Sequence, residues 1–70
     1  MKHSIKIDAA RALEIEPMPA IGNLPPVVLV SVITSGVRLF TQKLTVDQAA
    51  VMAQALDLCA HRAEGWRAPA

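Results

Sequence analysis

The residues best suited to chemistry in this 70-residue chain are few, and Cys59 and His61 come first. A thiolate beside an imidazole can form a nucleophile with its base, or half of a metal site. Residues two apart on a helix point about 200° apart, so these side chains do not face each other. We interpret Cys59 as a small buried hydrophobic residue and His61 as a solvated one. With His3 as the one other imidazole, we predict no metal site.

Glu14 and Glu16 form a second candidate pair, because alternate residues of a strand share a face. Two carboxylates can act as general acid and base if an apolar pocket or a third group orients them. The neighbours Lys6 and Asp8 only continue a polar pattern. We therefore interpret the two carboxylates as part of a solvated strand face, and we predict no catalytic residue and no cofactor.

Among very small enzymes, the tautomerases resemble this chain in length and in combining strands with helices. That resemblance implies a catalytic proline at the amino terminus after removal of the initiator methionine. The second residue here is Lys2, so the likeness fails at the residue that would carry the chemistry. We predict that the protein is not an enzyme.

The elements that would position these residues begin with a strand pattern. Apolar and charged residues alternate through much of residues 4–16, which predicts two short strands around an irregular middle. Asp8 before two alanines would also suit a short helical turn there. Four prolines and Gly22 then fill residues 17–26, which predicts a connecting loop.

The clearest element pair is a β-hairpin over residues 27–43. Its first strand is rich in β-branched residues, and Ser35-Gly36 is suited to a tight turn. A two-residue turn pairs Val32 with Leu39 and leaves the first strand apolar on both faces. A strand of this kind normally lies in a sheet that is covered on both sides.

A helix over residues 45–64 follows directly. Thr45 and Gln48 have the spacing of a capping box, and Asp47 suits the positive end of the helix dipole. Apolar residues then recur every three or four positions and form one stripe: Ala49, Met52, Leu56, Cys59 and Ala63. Gly65 is suited to end the helix, and residues 65–70 form a tail.

These elements predict a single α+β domain over residues 1–70. It has a small, mainly antiparallel sheet of three to four strands with a central β-hairpin, followed by one C-terminal amphipathic helix. Hydrophobic residues make up 53% of a chain with little interior, and the single cysteine excludes an internal disulfide. We expect a homodimer, because a helix covers only one sheet face. The alternative cover is the proline-rich loop, folded back over the open face.

Charge gives little support to nucleic-acid binding. The net charge is +1, and the seven basic residues are scattered along the chain. The longest apolar run, residues 25–33, is far shorter than the roughly 20 residues of a membrane-spanning helix. The amino terminus lacks the apolar stretch of a secretory signal. We expect no membrane association and a cytoplasmic location.

Residues 37–50, with the sequence VRLFTQKLTVDQAA, take a β-hairpin straight into a capped, alanine-rich helix. This segment resembles small phage- and plasmid-borne inhibitor and regulator proteins, including some anti-CRISPR proteins. The resemblance implies action on a larger host machine in the bacterial cytosol, and it carries over no functional residue.

We therefore expect a non-enzymatic protein-binding module, with inhibition of a host protein complex as its narrower form. A small dimeric nucleic-acid-binding regulator is the alternative. Aromatic residues and arginines are common interface anchors. The predicted partner-binding residues are Arg38, Phe40, Gln42, Arg62, Trp66 and Arg67. The first three are expected to share one face of the hairpin, unless Phe40 belongs to the core.

Overall fold

The computed structural model describes residues 1–67 as four strands and a helix. The elements are β1 (His3–Lys6), β2 (Arg11–Met18), β3 (Val27–Thr34), β4 (Val37–Thr45) and α1 (Val46–Gly65). The strands form one antiparallel sheet in the order β1-β2-β3-β4, so each strand pairs with the next one in the sequence. The predicted α+β fold class is confirmed. The predicted tail, residues 65–70, lies partly outside the described residues.

Asp8 organises the turn between β1 and β2. Its Oδ1 accepts hydrogen bonds from the backbone N–H groups of Ala10 at 2.9 Å and of Arg11 at 2.8 Å. Its Oδ2 accepts a third hydrogen bond, from Nε of Arg11, at 2.8 Å. Aspartate side chains that bond the backbone two or three residues ahead are typical of turns. The irregular middle of the amino-terminal region is therefore a turn, and the strand resumes at Arg11.

Pro17 lies inside β2, opposite Val28, and not in the connecting loop as predicted. β1 pairs only with residues 12–15 of β2, so one edge of the strand is open at position 17. Sheets tolerate a residue without an N–H group at an open edge. The predicted loop was therefore two residues too long at this end.

The β3–β4 hairpin turns at Ser35 and Gly36, where φ is 51° and 78°. Two positive φ values characterise a type I′ turn, whose twist matches that of the flanking strands. Ile33 lies opposite Arg38, but Leu39 is then an extra residue in β4, so Val32 faces Phe40 and not Leu39. The predicted pairing is wrong by one residue from this bulge onward, because a bulge sets two residues against one.

The capping box at the start of α1 is confirmed. The backbone N–H of Gln48 donates to Oγ1 of Thr45 at 3.0 Å, and the backbone N–H of Thr45 donates to Oε1 of Gln48 at 3.0 Å. Thr45 is also the last residue of β4, so no linker separates strand and helix. The helix therefore runs off the end of the sheet.

The expectation that α1 covers one face of its own sheet is wrong. Ala49 is half-buried, and every other residue of the helix is exposed. The molecule is 53 Å long with a radius of gyration of 15.0 Å, whereas a compact domain of this length has a radius of about 11 Å. No apolar side chain among residues 1–67 is buried, and Ser31 is the one buried polar residue in that part of the chain.

Candidate functional site

The sheet presents one continuous apolar face. Strand register places apolar residues of all four strands on it, with the polar His3 and Gln42 on its two edge strands. We call eight of the apolar residues the apolar face: Ile5, Leu13, Ile15, Val28, Val30, Val32, Phe40 and Leu44. None of the eight is charged, and none is buried. One row crosses all four strands, since Ile5, Leu13, Val32 and Phe40 lie side by side.

The opposite face has a polar half built around Ser31. The hydroxyl of Ser31, only 3% exposed, shares a hydrogen bond of 3.0 Å with the hydroxyl of Thr41. Beside them, Oε1 of Glu14 accepts from Nη2 of Arg38 at 2.9 Å and lies 3.7 Å from Nζ of Lys2. The side chains of Ser31, Thr41 and Glu14 in this half are therefore paired with groups of the same chain. The predicted description of Glu14 as simply solvated is incomplete, because two cations neutralise it.

The other half of the same face is a groove beside the proline-rich loop. Its volume is about 380 Å³, and Met18, Ile21, Leu24, Val27 and Leu29 supply apolar walls. Ile21 and Leu24 form a β-bridge that shapes the loop. The loop thus lies beside the face opposite the apolar face, and it leaves the apolar face open.

Helix α1 carries the apolar stripe that the sequence predicts: Ala49, Met52, Leu56, Cys59 and Ala63. Cys59 is exposed, so its interpretation as a buried residue is wrong within this single chain. Val51 and Leu58 are also exposed and lie on the flank of the helix, about 80° and 100° from Cys59 around the helix axis. His61 is exposed, as predicted, with Nε2 at 3.8 Å from Oδ1 of Asp57. From Met52 onward, the helix therefore presents an apolar side that no residue among 1–67 covers.

The predicted hairpin anchors Arg38, Phe40 and Gln42 do not share a face. The bulge at Leu39 restarts the alternation, so Phe40 and Gln42 lie on the apolar side while Arg38 reaches Glu14 on the other side. Phe40 is 56% exposed, which makes the core interpretation of this residue wrong for the single chain. Of the three, only Phe40 is a large apolar residue open to a partner.

The other predicted anchors lie in the last turn of α1 and just beyond it. Trp66 is 77% exposed, and Nη2 of Arg67 lies 2.8 Å from Oε2 of Glu64. Arg62 lies beside Leu58 and Cys59. A 20-residue helix is about 30 Å long, so these residues do not form one site with Phe40.

The pKa of Asp8 departs clearly from its usual value. The hydrogen bond from the Arg11 side chain lowers the pKa of Asp8 most, and the backbone N–H of Ala10 adds to the effect. Both donors stabilise the carboxylate over the protonated acid. The shift therefore marks a structural turn. Within residues 1–67, no three side chains of His, Cys, Asp or Glu lie close enough together to hold a metal ion.

Comparison with known protein families, with curated proteins and with solved structures finds no match to this chain. Within residues 1–67, no helix is both long enough and apolar enough to cross a membrane.

Sequence reasoning missed the apolar face as a candidate site. In β3, apolar residues at 27, 29 and 33 alternate with those at 28, 30 and 32, so the strand looks equally apolar on both sides. Ser31 is the one signal that distinguishes them, because it falls among the odd positions. Its partner Thr41 supports the same assignment, but the bulge at Leu39 conceals that pairing in the sequence.

Proposed function

We propose that this chain is a non-enzymatic protein-binding module that binds another polypeptide through the apolar face and the apolar side of α1. The observation that carries the proposal is that no apolar side chain in residues 1–67 is buried. Apolar surface is driven out of water at roughly 25 cal/mol per Å². Two large apolar surfaces on one small chain are therefore binding surfaces.

The arrangement of charge supports a protein partner over a nucleic acid. Four of the seven basic side chains lie close to carboxylates of the same chain. Those four are Lys2, Arg11, Arg38 and Arg67. Phosphate binding relies on basic groups that are free to replace counterions. The nucleic-acid-binding regulator remains the weaker alternative.

The narrower function, inhibition of a host protein complex in the bacterial cytosol, rests on the resemblance of residues 37–50 alone. Adding the purified chain to a captured complex and measuring its activity tests this narrower form. An unchanged activity would remove inhibition from the proposal and leave protein binding in place.

Affinity capture with two matched variants tests the protein-binding proposal. Leu56→Glu puts a charge into the apolar stripe, whereas Gln54→Glu puts the same charge on the polar side of the same helix turn. We expect quantitative mass spectrometry to find partner proteins, including untagged copies of this chain, with the parent and with Gln54→Glu. We expect Leu56→Glu to capture at least tenfold less of these partner proteins. Equal capture by all three proteins, or capture by none, would contradict the proposal.

A further inference from the structure

The direct connection between β4 and α1 decides what can cover the helix. A helix that packs on the sheet of its own chain lies about 10 Å above it and is usually reached through a loop of two or more residues. Here Thr45 is both the last residue of β4 and the N-cap of α1, so no loop residue separates the two. The connection therefore leaves the apolar stripe exposed from Met52 onward, without cover from the apolar face of the same chain.

The two surfaces that this connection keeps apart are complementary. In a two-layer α+β fold, an apolar sheet face is covered by the apolar side of a helix. This chain has a sheet face without a helix and a helix without a sheet face. The helix is about 30 Å long. This length is close to that of the eight-residue strands β2 and β3, which is about 27 Å. None of the eight residues of the apolar face and none of the five in the apolar stripe is charged. Arg11, at the end of the same sheet face, is paired with Asp8, so packing the stripe on the eight residues buries no unpaired charge.

The amount of exposed surface agrees with association into a stable dimer. The chain exposes 5888 Å², and a compact monomer of 7.5 kDa exposes about 4,200 Å². The excess is about 1,600 Å² for each chain on this relation. Two such surfaces give roughly 3,300 Å² of buried area, within the 2,000–5,000 Å² that is usual for obligate homodimers.

We propose that the occupant of these surfaces is a second copy of this chain. In this exchanged dimer, the apolar stripe of each α1 lies on the apolar face of the other copy's sheet. The inference rests on the proposed protein-binding function and names the partner of the same surfaces. A two-fold exchange of this kind covers both helices and both sheets, and it closes without leaving an open end.

Light scattering after size exclusion, at micromolar concentration, is the first test. We expect twice the mass of one chain, together with the far-ultraviolet spectrum of a folded α+β protein. A folded protein with the mass of one chain, 7.5 kDa, would overturn the second copy as occupant. If that monomer still captured another protein through Leu56, the protein-binding function would stand without this inference.

Crosslinking through the native Cys59 tests the exchanged arrangement. One tagged copy keeps Cys59, and the other carries Cys59→Ser together with either Val30→Cys or Leu29→Cys. Residues 29 and 30 are half-buried aliphatic neighbours in β3 that point to opposite faces, so the two variants are matched. Both are mild changes in size, and circular dichroism checks that each mixed protein is folded.

We expect a short bismaleimide to join Cys59 of one copy to Val30→Cys of the other at least fivefold faster than to Leu29→Cys. A dimer with the opposite preference, or one that crosslinks only between two Cys59 residues, would overturn the helix-on-sheet arrangement. Each copy carries a single cysteine, so every crosslink joins two copies, and the tag distinguishes mixed pairs from pairs of one kind by their mass.

Discussion

At the scale of single residues, Asp8 shows how one carboxylate shapes a turn and makes stability depend on pH. Its pKa is lower in the folded chain than in the unfolded chain, mainly because of the Arg11 side chain. The unfolded chain therefore takes up a proton first as the pH falls. The stabilisation is fully present above the unfolded pKa of about 3.9 and is lost as the pH falls through the folded value.

We expect Asp8→Asn to flatten this acid part of the stability curve, because an amide keeps an acceptor for Ala10 but loses the ion pair with Arg11. Thermal melts between pH 2 and 6 measure the effect. Glu16→Gln, a change at a carboxylate with no ion pair in the described chain, serves as control. An Asp8→Asn curve as steep as that of the parent would contradict this role.

Arg38 and Phe40 separate stability from association at two neighbouring sites. Arg38 makes an ion pair with Glu14 that is half open to solvent, and such pairs contribute about 0–1 kcal/mol. We expect Arg38→Ala to change the free energy of unfolding by no more than that and to leave the proposed dimer intact. We expect Phe40→Ala to weaken the dimer at least tenfold, because its ring lies on the apolar face. Analytical ultracentrifugation of both variants provides the comparison, and equal effects would contradict the assignment of faces.

At the scale of secondary-structure elements, Thr45 determines where the sheet ends and the helix begins. Its hydroxyl accepts from the backbone N–H of Gln48, and loss of such a cap costs about 0.5–2 kcal/mol. We expect Thr45→Ala to lower the free energy of unfolding by this amount, while Thr45→Ser, which keeps the hydroxyl, changes it little. Urea titrations followed at 222 nm measure both variants. A Thr45→Ser variant as unstable as Thr45→Ala would assign the loss to packing of the methyl group instead.

At the scale of the whole molecule, the exposed apolar surface predicts that folding and association are one process. A sheet with no buried apolar residue and a helix with no cover have little to offset the entropy of ordering. Since unfolding of a dimer releases two chains, a tenfold change in concentration is worth about 1.4 kcal/mol.

We therefore expect the melting temperature to rise by a few degrees for each tenfold increase in chain concentration. Thermal melts at chain concentrations of about 1 to 100 μM check this, because mass action shifts the melting temperature measurably over such a range. We expect the control variant Gln54→Glu to show the same dependence on concentration, since its change lies on the polar side of α1. A melting temperature independent of concentration would contradict coupled folding and association.

The sequence by itself determined the elements, because their signals are local. The capping box of Thr45 and Gln48 depends on four consecutive residues, and the turn at Ser35-Gly36 depends on two. Alternation and turn residues sufficed to predict the β3–β4 hairpin and its place before the helix. The apolar stripe of α1 followed from spacing alone.

Only the tertiary structure decided how those elements are arranged. The bulge at Leu39 depends on how β4 pairs with β3, and it moved Arg38 and Phe40 to opposite faces. Pro17 could join β2 because β1 is too short to reach it. The sequence predicted that α1 follows the hairpin directly, but the direction that α1 takes from Thr45 depends on the three-dimensional geometry of that junction. For that physical reason, the sequence predicted the apolar stripe but not that its own sheet would leave it uncovered.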